Sequence, residues 1–199
     1  MNLQARVVNI LTRPALEWPV IASEPTDVRA LYVNYIALLA AIPAVCTFLG
    51  LLLIGVPMLG TAGFSFALTA GVTNYISALV SAFVAAFIIE KLAPTFDSHG
   101  DTAQALKLVA YASTPIWIAG VLHLVPLLSA LIIVAAIYAI YLFYLGLSPV
   151  MKTPQDKILP YMIVSAVVVI IVSFCIGLVM GVFSGTAMWG TATYGGRAF

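Results

Sequence analysis

Residues 111–157 read YASTPIWIAGVLHLVPLLSALIIVAAIYAIYLFYLGLSPVMKTPQDK. They sit in a longer interval, 108–151, in which no Asp, Glu, Lys or Arg occurs for 44 residues. A single helix of that length would run about 66 Å, roughly twice the hydrocarbon thickness of a bilayer. The chain must therefore fold back on itself. His123 and Pro126 mark the reversal and predict two antiparallel neighbours, at about 103–125 and 127–146. Pro115, inside the first, leaves the carbonyl of Tyr111 without its helical donor, and Ser113 or Thr114 is placed to satisfy backbone groups there.

The same pattern extends outward. From Ala30 to Ile89 there is no charged residue over 60 positions, room for spans at about 32–54 and 68–89. GVPMLGTAGFS between them (55–65) reads as a loop, and Pro43 should bend the first span. A fifth span is expected at about 161–183. Of the 199 residues, 63% are hydrophobic and 8% charged, with a mean hydropathy of +1.15. Soluble domains carry about 25% charged residues, so lipid is the solvent here. The fold class is all-α: a polytopic integral membrane protein with five transmembrane helices and a short N-terminal amphipathic helix. A net charge of +1 leaves no basic field for nucleic acid.

The expected organisation is an N-terminal segment (1–29), a five-helix membrane domain (30–183) and a flexible C-terminal tail (184–199). Residues 1–16 do not read as a signal peptide, because Arg13 and Pro14 interrupt the apolar run. On a helical wheel Leu3, Val7, Ile10 and Leu11 share one arc, with Arg6 and Arg13 opposite. Such a helix either lies at the lipid–water interface or packs on the protein's own loops. Trp18 fits an interfacial anchor, and Asp27 an N-cap for the first span. With five spans, the N-terminus and the loops at 90–107 and 147–160 share one side. That side holds Arg6, Arg13, Arg29, Lys91, Lys107, Lys152 and Lys157, and the other only Arg197. The asymmetry predicts a cytoplasmic N-terminus and an outside C-terminus, with Lys91, Lys107, Lys152 and Lys157 forming basic cytoplasmic loops.

Chemistry is sparse. Cys46 and Cys175 lie in apolar runs and read as small core residues. Asp97, His99 and Asp101 alternate in one loop and, with Glu90, could hold a divalent cation; an exposed turn with a helix cap is the simpler reading, and no metal or other cofactor is expected. His123 lies about 14 Å along a helix from Ser113 and Thr114, too far for a nucleophile–base pair, and no GxSxG elbow is present, so no catalytic residue is assigned. Tyr138, Tyr141 and Tyr144 suit an aromatic belt. No ionisable residue falls near the centre of a span, which counts against proton-coupled transport. Small residues recur every four positions at Ser173, Gly177, Gly181 and Gly185 and at Ser77 and Ser81. These are helix-packing stripes, within the chain or towards a second copy or another membrane protein. Pro43, Tyr111, Thr114, Pro115 and Trp117 mark helix breaks where a cavity could form.

KLVAYASTPIW at 107–117, Ala119-Gly120, Pro126, IYAIYL at 137–142, YLGL at 144–147 and MKTPQDK at 151–157 together resemble the Yip (Ypt-interacting protein) domain family in its bacterial form. EWPVIASE at 17–24 is similar too. The resemblance implies a five-helix membrane domain with a cytoplasmic N-terminus. Eukaryotic members associate with prenylated Rab-type GTPases; this chain lacks their long N-terminal region and their acidic DLYGP-type motif. The expected function is a non-enzymatic membrane scaffold that binds another membrane protein or lipid. The alternative is a transporter or permease for a neutral or amphiphilic molecule.

Overall fold

A computed structural model describes residues 3–55 and 60–194. Helices α1 (Leu3–Thr12) and α2 (Pro14–Ser23) form an N-terminal hairpin. The first span starts as α3 (Val28–Leu31), continues through a π-turn over Tyr32–Ile36 into α4 (Ala37–Gly50), and ends in a second π-turn, Leu51–Gly55. The second span is α5 (Gly60–Leu92), extended by a 3-10 turn at Ala93–Phe96. The third is α6 (Thr102–Ala112), α7 (Thr114–Ala119) and a 3-10 turn to Leu124. A 3-10 turn over Pro126–Leu131 leads into the fourth, α8 (Ile132–Met151), and α9 (Gln155–Tyr194) supplies the fifth. Among the described residues, five stretches are long and apolar enough to cross a membrane: Val28–Ile54, Gly63–Phe96, Thr102–Leu124, Leu127–Met151 and Gln155–Gly181.

Local chemistry explains the boundaries. Asp27 and Asp101 each accept a hydrogen bond from the backbone three residues on, at Ala30 and Gln104, the side-chain cap that opens a helix. Val125 is extended (φ −117°), and the chain reverses between two 3-10 turns where His123 and Pro126 stand. His123 Nδ1 lies 3.0 Å from the Gly120 carbonyl oxygen. At Pro115 the third span changes helix: the N–H of Ser113 closes α6 on Val109, and its carbonyl accepts from Trp117 to start α7. Thr114 Oγ1 lies 3.4 Å from the freed region at Ala110 O. Pro43 is buried where the first and third spans cross. A Cβ built on Gly120 would stand 2.5 Å from the Pro43 Cβ, so only glycine permits this approach.

Several expectations change. The 55–65 loop is shorter than its Gly/Ser/Thr content suggests, since α5 is helical from Gly60; in lipid, intrahelical bonding is the cheapest way to satisfy a backbone. Residues 56–59 lie outside the described residues. The tail from 184 continues α9 as far as Tyr194. The N-terminal segment is not separate from the membrane domain: Ile10, Trp18 and Ile21 share one core cluster with Tyr35, Leu108, Tyr111, Leu142 and Leu147. Trp18, read as an interfacial anchor, is 1% exposed inside that core.

Candidate functional site

The hairpin lies along the third and fourth spans. Trp18 packs edge-on to Tyr111, centroids 6.4 Å apart. A Cβ on Gly146 would meet Leu108 Cδ1 at 2.5 Å and Trp18 Cζ2 at 2.7 Å, so the absent side chain is what lets the indole seat between α6 and α8. At the far end, Tyr138 Oη donates to the Leu11 carbonyl at 2.8 Å. Counting 1.5 Å per residue from Met151, Gly146 is about 8 Å into α8 and Tyr138 about 20 Å. The hairpin tip therefore lies beside the middle of the fourth span, held by protein on its inner side.

It carries charge inward. Arg6 is 5% exposed; its guanidinium donates to Glu17 and Glu24 and lies 5.8 Å from the Tyr111 ring centroid. Burial works against its charge, but the hydrogen bond and charge of Glu24, with Tyr111 and Glu17, outweigh that, and its pKa is raised. A raised cation pKa means the charged pair is fully present below the ordinary arginine range and is lost only above it, so Arg6 stays ionised at every physiological pH. Lys107 is 4% exposed, and its Nζ donates to the carbonyls of Ile21 (2.9 Å) and Glu24 (2.7 Å), capping α2. Deeper still, Tyr35 Oη and Thr114 Oγ1 are 2.7 Å apart, and the Tyr35 ring packs on Tyr111 at 4.6 Å.

Two expectations are overturned here. Arg6 is not on a solvated face; the carboxylates 11 and 18 residues later draw it inward. Lys107 is not a loop cation but a buried cap one turn inside the third span. The other three predicted basic loop residues are at the surface. Lys91 pairs with Glu90 (3.0 Å), Lys157 lies 3.4 Å from Asp97, and Lys152 is exposed in a left-handed C-cap. The loop residues weighed as metal ligands have other work. Asp101 caps α6, Asp97 faces Lys157, and Glu90 accepts from Thr102 and Lys91. The two loops at this end are tied by Ser98 Oγ to Thr153 Oγ1 (2.9 Å) and by His99 N–H to the Met151 carbonyl (2.9 Å).

The predicted helix-break residues Pro43, Tyr111, Thr114, Pro115 and Trp117 are all buried. The opposite face of the same span, Val109, Ala112, Ser113 and Ile116, lines a cavity of about 290 Å³ shared with α5, α8 and α9. Of the small-residue stripes, Ser77, Gly177 and Gly181 do come together, along a second cleft of about 360 Å³ between α5 and α9. Its other walls are Phe66, Thr69, Ala70, Thr73, Asn74 and Met180. A Cβ on Gly177 or Gly181 would meet nothing within 4 Å, so the glycine face is not filled by this chain. Ser81 and Ser173 are part-buried away from this cleft, and the surroundings of Gly185 lie outside the described side chains.

Fold and site together define a five-span, all-α membrane protein with an N-terminal hairpin packed on its third and fourth spans and clefts between its helices. The Yip1 domain model matches residues 8–177, and the chain belongs to that family. It is similar to inner membrane protein YohC of Escherichia coli, 28% identical over 161 residues that cover 77% of this chain and 82% of YohC. YohC from a second strain of that species matches to the same extent. No solved structure is significantly similar.

Proposed function

We propose that the protein is a non-enzymatic scaffold of a bacterial inner membrane that receives a transmembrane helix of a partner protein in the cleft between α5 and α9. The observation that carries this reading is the unfilled glycine face. In lipid, helices associate through close backbone approach at small residues and through hydrogen bonds across the interface. Gly177 and Gly181 supply the first, and Thr69, Asn74 and Ser77 on the facing wall supply the second. Membership of the Yip1 family and similarity to an inner membrane protein support the location.

The test is extraction with surrounding lipid, followed by native mass spectrometry of wild type, Gly177→Leu and Gly181→Leu. A second polypeptide held by wild type and lost from both variants supports the scaffold. If that polypeptide is a second copy of this chain, the partner is the chain itself. A bare chain in all three samples counts against it.

A transporter reading gains one observation that the sequence did not offer. Arg6 and Glu17 place ionisable groups beside Tyr111, inside the bundle, where coupling residues of carriers are found. Solute flux into proteoliposomes that disappears with Arg6→Met would favour a carrier over a scaffold.

A further inference from the structure

The cavity between α5, α6, α8 and α9 shares no residue with the α5/α9 cleft and calls for a different occupant. Its inner wall is made of short side chains from four helices, Ala85, Ala112, Ala139 and Ala166, with Val109 and Phe143 beside them. At about 290 Å³ it lies at the small end of ligand pockets, which run from about 300 to 1,000 Å³. It opens sideways. Ile140 and Ile170 at its rim are 46% and 64% exposed, and both lie well within spans, so the mouth faces bilayer rather than either aqueous side.

One polar atom in the wall has no explanation within the chain. Ser165 is 0% exposed, and its Oγ lacks any hydrogen-bond partner. A serine inside a helix ordinarily bonds back to the carbonyl four residues earlier, and this one does not. A trapped water is a poor answer, since a water needs two to four polar partners and the only other polar side chain in the wall is Ser113. The occupant that fits is a single hydrocarbon chain bearing an oxygen near one end. Ser165 lies eight residues, about 12 Å along α9, beyond Lys157 and so inside the hydrocarbon layer, on the half nearer that end of the span.

We propose that this cavity is a lipid site: it holds one acyl chain of a bilayer lipid, with the Ser165 hydroxyl donating to an oxygen of that lipid. The second chain of a diacyl lipid stays outside the mouth between Ile140 and Ile170.

The experiment places the full chain in nanodiscs of phosphatidylethanolamine and phosphatidylglycerol that contain a lipid with a photoreactive diazirine in one acyl chain. After illumination, the attachment sites are mapped by peptide mass spectrometry. Wild type should be labelled at the inner wall, on Ala112, Ala139 or Ala166, as well as on lipid-facing Ile171 and Phe174. Ala166→Phe, which fills the cavity, should lose the inner-wall label and keep the outer one. Ala139→Leu repeats this test from the facing helix. Ser165→Ala should fold and reduce inner-wall labelling several-fold relative to the outer label, and Ser165→Thr should restore it. Outer labels alone in wild type, or inner-wall labels unaffected by Ser165→Ala and by the filling variants, would overturn the proposal and leave only ordinary annular contact.

Discussion

At the scale of single residues, the deciding groups are those that carry charge into an apolar place. Lys107 is held by two carbonyls at the end of α2. In Lys107→Met the stem still packs but both carbonyls lose a charged donor. Hydrogen bonds to charged groups contribute about 1.5–3 kcal/mol, so we expect a clear drop in the melting temperature of the detergent-solubilised protein. An unchanged melting temperature would mean that the cap contributes nothing. Arg6→Met should cost more. It strands Glu17, which is 12% exposed, and breaking a buried pair from one side costs about 3–5 kcal/mol. Glu24 is 40% exposed, so its share is discounted to the surface value of at most about 1 kcal/mol. The double variant Arg6→Met with Glu17→Gln should recover much of the loss, since no uncompensated charge remains. A double variant as unstable as the single would show that packing around the guanidinium, not charge, is what matters.

Elements show what could be read from the order of residues. The five spans were legible because uninterrupted apolar runs of 44 and 60 residues admit no other solution in a bilayer. The Asp27 cap and the reversal near His123 were legible because their determinants are local: Asp27 acts three residues on and the His123 ring three residues back. The hairpin was not. Leu3–Ser23 has the composition of a surface segment, and what pulls it inward is long-range: Tyr138 on its Leu11 carbonyl, Lys107 on its C-terminus and Gly146 under its tryptophan. Glycine at 146 gave no sign of this, because in a membrane helix a glycine is equally at home in any close contact. Gly146→Leu should therefore expel the hairpin without breaking α8. Limited proteolysis of the nanodisc-embedded protein should then cut near Arg6 and Arg13 far faster than in wild type. Equal cleavage of the two would mean that the hairpin does not depend on the seat of Trp18.

For the molecule as a whole, the distribution of charge and the position of the hairpin make one joint prediction. Four ends meet at the same face of the bundle: the end of α5, the start of α6, the end of α8 and the start of α9. Lys91, Lys152 and Lys157 project there, and the open end of the hairpin lies at that face with Arg6 and Lys107 buried beside it. Basic residues flanking spans are retained in the cytoplasm. We expect this face to be cytoplasmic, which puts the end of α9 across the membrane after an odd number of spans. Lys107 and Arg6 are buried and serve the core rather than topology. Even so, Arg29, Lys91, Lys152 and Lys157 remain at this face. The check is labelling of intact cells by a membrane-impermeant maleimide, in a background with Cys46→Ala and Cys175→Ala. A cysteine at position 152 should react only after the membrane is opened, and one at position 197 should react at once. The reverse pattern would invert the protein and place the hairpin, with its arginine, on the outer side. Reaction of both positions in intact cells would mean that α9, the apolar stretch between them, does not cross the bilayer.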